Sequence, residues 1–388
     1  MLKTLRRTAG MALTAVKLSR LYITDPPAAN LWLNNTEISH GRTKLFSYPV
    51  IVGINISNIC NQQCRFCCQD NSKMRSNNWL TADVFKRMKW LKYVTDIYLF
   101  AGGGEPLMNP HFSSVVEAVR GVAPKSRLCL FTNGQDLDGD NLKATLDNIG
   151  LLHISLNAVS KRAFDAVVRG DHGKVMSNLE NLSRSGRDNT DVELSMILTR
   201  HNADEVKPMI DFAHDLGFSR VIACYFIPMS WPGSNIEFGA ADALDRECVE
   251  NRKDEYMEYA AERGVGLVLS LDAIDLTTCM QPWQSAFMGN DYTGDRVFRI
   301  CCSGLSMNTH VTMDSYIHFK RVWNSPRMRE IRRTVNLPEE QQNTMCRVCR
   351  TVPRSGTDWI DKRIEAADES EELTVSPSGL LWKDKITI

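Results

Sequence analysis

The chain has 388 residues, 46 basic and 46 acidic side chains and so no net charge, and it is 43% hydrophobic and 24% charged. That composition is globular and excludes a disordered or collagen-like chain, and balanced charge supplies no whole-molecule field to attract nucleic acid. Twelve cysteines are too sparse for the disulfide framework of a short secreted domain and point instead to metal ligands in a reducing compartment, the cytoplasm.

In chain order, the first 23 residues carry Lys3, Arg6, Arg7, Lys17 and Arg20 and no acid, with an apolar run only from Met11 to Val16. That run is too short for a signal sequence or a membrane span. Residues 1–47 read as a basic helical extension packed on the outside of a domain; a basic helix lying on a membrane surface is the alternative. From residue 48 to 275, short apolar runs recur at Val50–Ile56, Ile97–Phe100, Leu128–Phe131, Leu152–Leu156, Val192–Leu198 and Val221–Ile227. Between them lie stretches of helical spacing, such as Val84, Met88 and Leu91 after Thr81, and Val206, Met209, Ile210 and Ala213 before Gly217. Buried β-branched strands alternating with helices predict an α/β fold with a parallel sheet, here a partial (β/α)6 barrel. The alternation stops beyond Ser270. Residues 276–362, richer in turns, Cys and Trp, read as a smaller second domain. Residues 363–388 read as an acidic tail, mobile apart from its apolar end.

Directly after the first strand comes Cys60-Asn-Gln-Gln-Cys64-Arg-Phe66-Cys67-Cys68. Three thiolates spaced by three and then two residues can turn toward one object, in a loop at the end of a barrel strand where such folds keep their chemistry. An iron–sulfur cluster normally takes four cysteines; three leave one iron open, the mark of a reactive centre. A zinc site completed by Cys68 or a distant ligand is the alternative. Later strands end in polar groups: Gly102-Gly103-Gly104-Glu105-Pro106, Thr132-Asn133-Gly134, Ser155-Leu156-Asn157 and Thr199-Arg200.

The cysteine spacing, the aromatic Phe66 before the last cysteine and these strand ends in this order resemble the radical S-adenosylmethionine (radical SAM) superfamily. The resemblance implies a 4Fe-4S cluster on Cys60, Cys64 and Cys67. It also implies S-adenosylmethionine held by Phe66, Gly103, Gly104, Glu105, Pro106, Asn133, Ser155, Asn157 and Arg200. Glycines would let carbonyls approach the methionine ammonium, and Arg200 would pair with its carboxylate or contact substrate. An electron from a reductant such as flavodoxin or ferredoxin would cleave the cofactor to methionine and a 5′-deoxyadenosyl radical, which abstracts hydrogen from an unactivated carbon.

Further on stand Cys279, the Cys301-Cys302 pair and Cys346-Arg-Val-Cys349. By spacing alone this is also a zinc ribbon. Its surroundings, Cys279-Met-Gln-Pro282-Trp283, Gly294 and Trp323 to Arg332, resemble the auxiliary-cluster extension called Twitch, the shortened relative of SPASM. No cysteine follows Cys349, so the resemblance implies one auxiliary 4Fe-4S cluster on Cys279, Cys301, Cys346 and Cys349, with Cys302 the alternative to Cys301. It would relay electrons or staple the small domain.

Cys129 and Cys224 read as buried hydrophobes and Cys248 as incidental. Cys68 or Cys302 beside a cluster is a candidate hydrogen donor to a substrate radical, as an epimerase needs. His153 and His201 are candidate proton acceptors, with structural roles the blander reading. The leading expectation is dehydrogenation or epimerisation of a small polar metabolite, a sugar or aminocyclitol. Its rivals are maturation of a ribosomal peptide and a non-catalytic zinc-binding interaction protein.

Overall fold

The computed structural model describes residues 19–67, 79–100, 104–187, 189–226, 236–270, 279–290, 296–299, 308–342, 346, 373–376 and 379–382. One sheet organises them. Its parallel strands are β1 (Ile51–Asn55), β2 (Asp96–Phe100), β3 (Arg127–Thr132), β4 (Leu151–Ser155), β5 (Asp191–Leu198), β6 (Arg220–Tyr225) and β7 (Gly266–Ser270). They pair in chain order, each parallel to the next. This is the expected α/β architecture with one strand more than the six apolar runs. The seventh, Gly266-Leu-Val-Leu-Ser270, escapes a search for long β-branched runs because it is short and opens on glycine.

The other edge also departs from expectation. β8 (Ser285–Asn290), inside the segment assigned to a second domain, pairs parallel with β1, Ile51 opposite Ser285. β9 (Arg296–Arg299) and β10 (Asn308–His310) continue antiparallel. The sheet therefore runs unbroken across the expected boundary at 275/276. The tail, expected to be mobile apart from its apolar end, contributes a hairpin, Leu373–Ser376 with Gly379–Trp382, whose second strand pairs with β10.

Strand alternation separates two faces. Ile97, Leu99, Leu128, Leu130, Leu152, Ile154, Val192, Leu194, Met196 and Leu198 are at most 1% exposed, each stabilising the fold by roughly 1.5–3 kcal/mol. They pack under helices such as α1 (Phe112–Val122), which buries Val115, Val116 and Val119, and α2 (Val206–Asp215), which buries Val206, Met209, Ile210 and Ala213 as its spacing predicts. The helix expected through Leu91 is split: an α-helix covers Ala82–Arg87, Met88 leaves helical geometry at ψ 57°, and a 3-10 turn continues to Tyr93. Met88 and Leu91 are buried as expected, whereas Val84 is half-buried and Phe85 takes the inward place.

A helix at Pro26–Ser39 precedes β1 and is more than an external decoration. Its buried Asn34 donates to Ser47 Oγ (3.0 Å) and to the Trp283 carbonyl (2.8 Å). Its buried Glu37 accepts from the Phe46 and Ser47 amides and the Ser47 hydroxyl. From the other side, Arg332 donates to the Pro282 and Thr43 carbonyls and Lys320 to those of Phe46 and Ser47. Residues 42–48 are thus a clasp between the N-terminal helix and the segment after β8. Among the described residues, no helix is long and apolar enough to cross a membrane.

Candidate active site

The loop after β1 is fastened on three sides. Gln63 and Cys64 form a two-residue ladder with Val168 and Arg169. The Arg65 amide donates to Val167 O (3.0 Å), and the Arg65 carbonyl accepts from the amides of Glu237 and Phe238. The Cys67 amide closes a turn on Cys64 O at 3.0 Å. Phe66 packs toward Phe226, ring centroids 6.4 Å apart.

Gly104 sits directly against this loop. A Cβ there would lie 2.4 Å from Ile59 O and 2.6 Å from Ile59 N, and the Glu105 amide donates to the same carbonyl at 2.6 Å. The glycine is thus required by backbone contact with the residue before Cys60, a different reason from the ammonium contact the sequence suggests. Gly104→Ala is expected to destabilise the chain by about 2 kcal/mol or more, since backbone cannot step aside as a flexible side chain would, and to lower the iron retained per chain after reconstitution, measured by metal analysis.

Glu105 is buried and accepts from Thr132 Oγ1 (2.6 Å), the Asn133 amide (2.8 Å) and the Leu107 amide (3.1 Å). Burial pushes its carboxyl up to about 7, against the pull of those three bonds. Asn133 turns to the cysteine loop: its Nδ2 donates to Asn61 Oδ1 (2.8 Å) and approaches Cys60 Sγ at 3.7 Å. At the end of β4, Asn157 holds a left-handed backbone, φ 65°. Asparagine is among the residues that bear this conformation best, and here the cross-strand bond from the Ile197 amide to its Oδ1 (3.0 Å) locks it.

Cys60, Cys64, Cys67, Gly104, Glu105, Asn133, Ser155 and Asn157 all line one cavity of about 590 Å³. Burial, with the nearby Glu105 charge, pushes the Cys60 thiol up to about 11. Cys64 is raised well above the usual thiol range by burial and then by the charges of Cys67 and Cys60. Thiols that resist ionisation as Cys60 and Cys64 do are stabilised as thiolates by a positive centre beside them.

The profile of the radical SAM superfamily matches residues 54–213, the span from β1 through most of α2. The chain carries a radical SAM domain. Among named relatives, GTP 3′,8-cyclase of Microcystis aeruginosa is 28% identical over 130 residues, 31% of this chain and 38% of that protein. GTP 3′,8-cyclase 1 of Pseudomonas aeruginosa is 26% identical over 165 residues, 41% and 49% of the two chains. The chain thus spans about half or less of the length of either relative. Streptococcus suis SuiB bound to S-adenosylmethionine shares the fold at TM-score 0.60 and 14% identity, over 78% of this chain and 71% of SuiB. Native anSMEcpe with bound AdoMet does so at TM-score 0.54 and 15% identity, over 82% and 97%.

The radical SAM family implies a 4Fe-4S cluster and S-adenosylmethionine, and the donor set fits them. Among the described residues, no three His, Cys, Asp or Glu side chains converge on a point as one metal ion requires. Three cysteine thiols lining one cavity are the donor type such a cluster takes.

Other expected positions fall elsewhere. Pro106 is buried at the start of a 3-10 turn capped by the Glu105 side chain, and neither it nor Phe66 lines the cavity. Arg200 is more than half exposed, 3.9 Å from Asp242, and lies off the cavity wall. His201 holds the same Asp242 at 2.7 Å, and that bond is the main reason the Asp242 carboxyl lies below its ordinary range. Cys129 is buried as expected, Cys224 half-buried and Cys248 exposed. Cys279 exchanges backbone bonds with the Asn336 side chain, and Cys346 is buried in the same packed core. Cys68, Gly103, Cys301, Cys302 and Cys349 lie outside the described residues.

Some wall residues escape sequence reasoning. Tyr98, Phe100, Phe131 and Phe287 line the cavity with Ile51, and Gln281 and Ser285 come from the segment around the start of β8. The aromatics occupy alternate inward positions near strand ends, a period-2 signal that could have found the first three. Phe287 and Phe100 meet edge to face over Gly53, where a Cβ would lie 2.4 Å and 2.7 Å from the two rings.

Proposed function

We propose that this chain is a radical SAM enzyme that takes a hydrogen atom from a small polar molecule, a sugar or aminocyclitol, in a dehydrogenation or an epimerisation. The observation that carries this reading is the single cavity joining the three thiols of the β1 loop to the ends of β2, β3 and β4 and to an aromatic interior. Cys60, Cys64 and Cys67 would hold a 4Fe-4S cluster, whose chemistry when bound would be to pass one electron from an external reductant to S-adenosylmethionine.

The chain's own residues do the rest. Asn133 and the Gly104 contact hold the Cys60 loop in place. Glu105, Ser155 and Asn157 offer polar atoms to the cofactor, and Phe100, Phe131 and Phe287 exclude water from the space where a radical must survive. A cavity of this volume suits a small molecule, within the roughly 300–1,000 Å³ of such sites. The relatives are named for GTP, but no Lys or Arg is among the described residues lining this cavity, and a triphosphate calls for such cations.

We further propose that Cys279 and Cys346, with Cys301 and Cys349, hold an auxiliary cluster, with flavodoxin or ferredoxin as reductant. The test is anaerobic reconstitution with iron and sulfide, reduction, addition of S-adenosylmethionine, and measurement of 5′-deoxyadenosine. Sugars, aminocyclitols, peptides and GTP follow in deuterated water. A product two hydrogens lighter marks dehydrogenation, and deuterium uptake without oxidation marks epimerisation. Bound zinc with no iron–sulfur absorption would sink the enzymatic reading.

A further inference from the structure

The cavity has a second polar end that the site above leaves unused. β1 and β8 run side by side along its wall, with Asn55 opposite Gly289 toward the cysteine loop and Ile51 opposite Ser285 at the other end of the pairing. At the rise of a β-strand those ends are about 13 Å apart. Ser285 shares its face of β8 with the cavity residue Phe287, so its hydroxyl points inward with the ring. That hydroxyl donates to the side-chain oxygen of Gln281, with the Gln281 carbonyl 3.2 Å away. The Gln281 carboxamide therefore stands on the same wall, and both residues line the cavity. The backbone around it is anchored: the Val50 amide donates to Gln284 O, Arg332 Nε to Pro282 O and the Trp283 indole to Arg42 O, each at 2.8 Å.

Between the two polar ends the wall is aromatic. Register sets Tyr98 and Phe287 level with Gly53, midway along β1, and Phe100 level with Asn55. Among the described lining residues Glu105, beside the cysteine loop, is the sole Asp, Glu, Lys, Arg or His. Charged side chains of the neighbouring strands pair with one another off the wall, Asp96 with Arg127 at 2.7 Å and His153 with Glu193 at 2.8 Å. An ion brought to Gln281 would lose its water and meet no countercharge on the wall, which is costly. A neutral group that both donates and accepts is matched there, because a carboxamide and a hydroxyl each do both.

We propose that Gln281 and Ser285 form a specificity subsite for a neutral hydrogen-bonding group, a hydroxyl or a carboxamide, at the end of the substrate remote from the cysteine loop. The apolar body of the substrate lies against the rings between. This rests on reading the cavity as the substrate chamber and makes that reading specific: a carboxylate, phosphate or ammonium at that end of the molecule is refused.

The test uses the full chain, reconstituted with iron and sulfide and loaded with S-adenosylmethionine. It is titrated anaerobically with three probes that share a ring and differ in the head group: cyclohexanecarboxamide, cyclohexanecarboxylate and cyclohexylmethylammonium. Binding is read by ligand-observed NMR. The unaltered chain should bind the amide at least about tenfold more tightly than either ion. Gln281→Glu keeps the shape of the side chain and its bond from Ser285 but can only accept, so it should bind the ammonium about tenfold more tightly than the amide. Should that variant fail to fold, the order of the three probes in the unaltered chain still decides. An amide that does not bind, an ion bound as tightly as the amide, or the same order in both chains overturns the proposal, because a pair that only pinned the turn into β8 would give one of these. 5′-Deoxyadenosine is measured in the same preparations. No cleavage with the expected order intact would sink the enzymatic reading alone, and cleavage without that order would sink this one alone.

Discussion

Replacing Cys64 by alanine is expected to cut 5′-deoxyadenosine formation by at least about a thousandfold, a loss of roughly 4 kcal/mol in transition-state terms, and to strip iron from the first site. Cys64 is the central thiol of the three. It stands in the Gln63–Cys64 ladder, its carbonyl closes the turn to Cys67, and its thiol feels both other cysteines. Removing it leaves two donors at opposite ends of the loop. The backbone ladder does not depend on the sulfur, so the fold should survive and the loss should be specific. Cys129→Ala is the control. Cys129 is fully buried on β3 and burial pushes its thiol up to about 12, but it does not line the cavity. It should lose some stability and keep cleavage. Equal losses in both variants, read by chromatography of the nucleoside and by iron analysis, would mean that the thiols of the β1 loop have no special role.

Much of this could be read from the sequence, for identifiable reasons. Residues 192–198 announce a strand because their even positions must be apolar to lie under helices, and the structure buries Val192, Leu194, Met196 and Leu198. The cysteine loop is legible because its spacing is local. What sequence cannot carry is pairing across distance. β8 looks like loop until Ser285 is set opposite Ile51, and only then do Gln281, Ser285 and Phe287 join the cavity. The reason for Gly104 is likewise non-local, since the atoms a side chain would strike belong to Asn58 and Ile59. Arg200 was assigned toward the cofactor from its place after β5. Two residues further, Asn202 bonds back to Asn157 O and Ile197 O, and the backbone there carries the guanidinium out to Asp242. A strand end tells where chemistry can gather, but the turn that follows decides which side chain faces it.

The largest effect on stability is expected at Glu37, far from the cavity. Its two carboxylate oxygens accept from the Phe46 amide (2.6 Å), the Ser47 amide (3.0 Å) and the Ser47 hydroxyl (2.6 Å), while the half-buried Lys320 and the buried Arg332 donate to carbonyls of residues 43–47. Burial lowers Lys320 to about 8 and Arg332 to about 9, and in both cases the Glu37 charge acts against the fall. Glu37→Ala therefore removes three bonds from a buried loop and takes a nearby countercharge from the buried Arg332 and the half-buried Lys320, a change expected to cost about 3 kcal/mol. Fluorescence of the buried Trp283 and Trp323 during denaturation should report it, because both belong to the segment the clasp holds. The pH dependence has a definite sign. Lys320 titrates lower in the folded chain than the ~10.5 of an unfolded lysine, so between about pH 8 and 10.5 the unfolded state binds more protons and stability rises with pH. Without Glu37 the folded value drops further, and the rise in stability should begin below pH 8. A midpoint unchanged in Glu37→Ala, or a rise that begins at the same pH in both chains, would show that residues 42–48 are held by backbone bonds alone and that the charge beneath them is incidental.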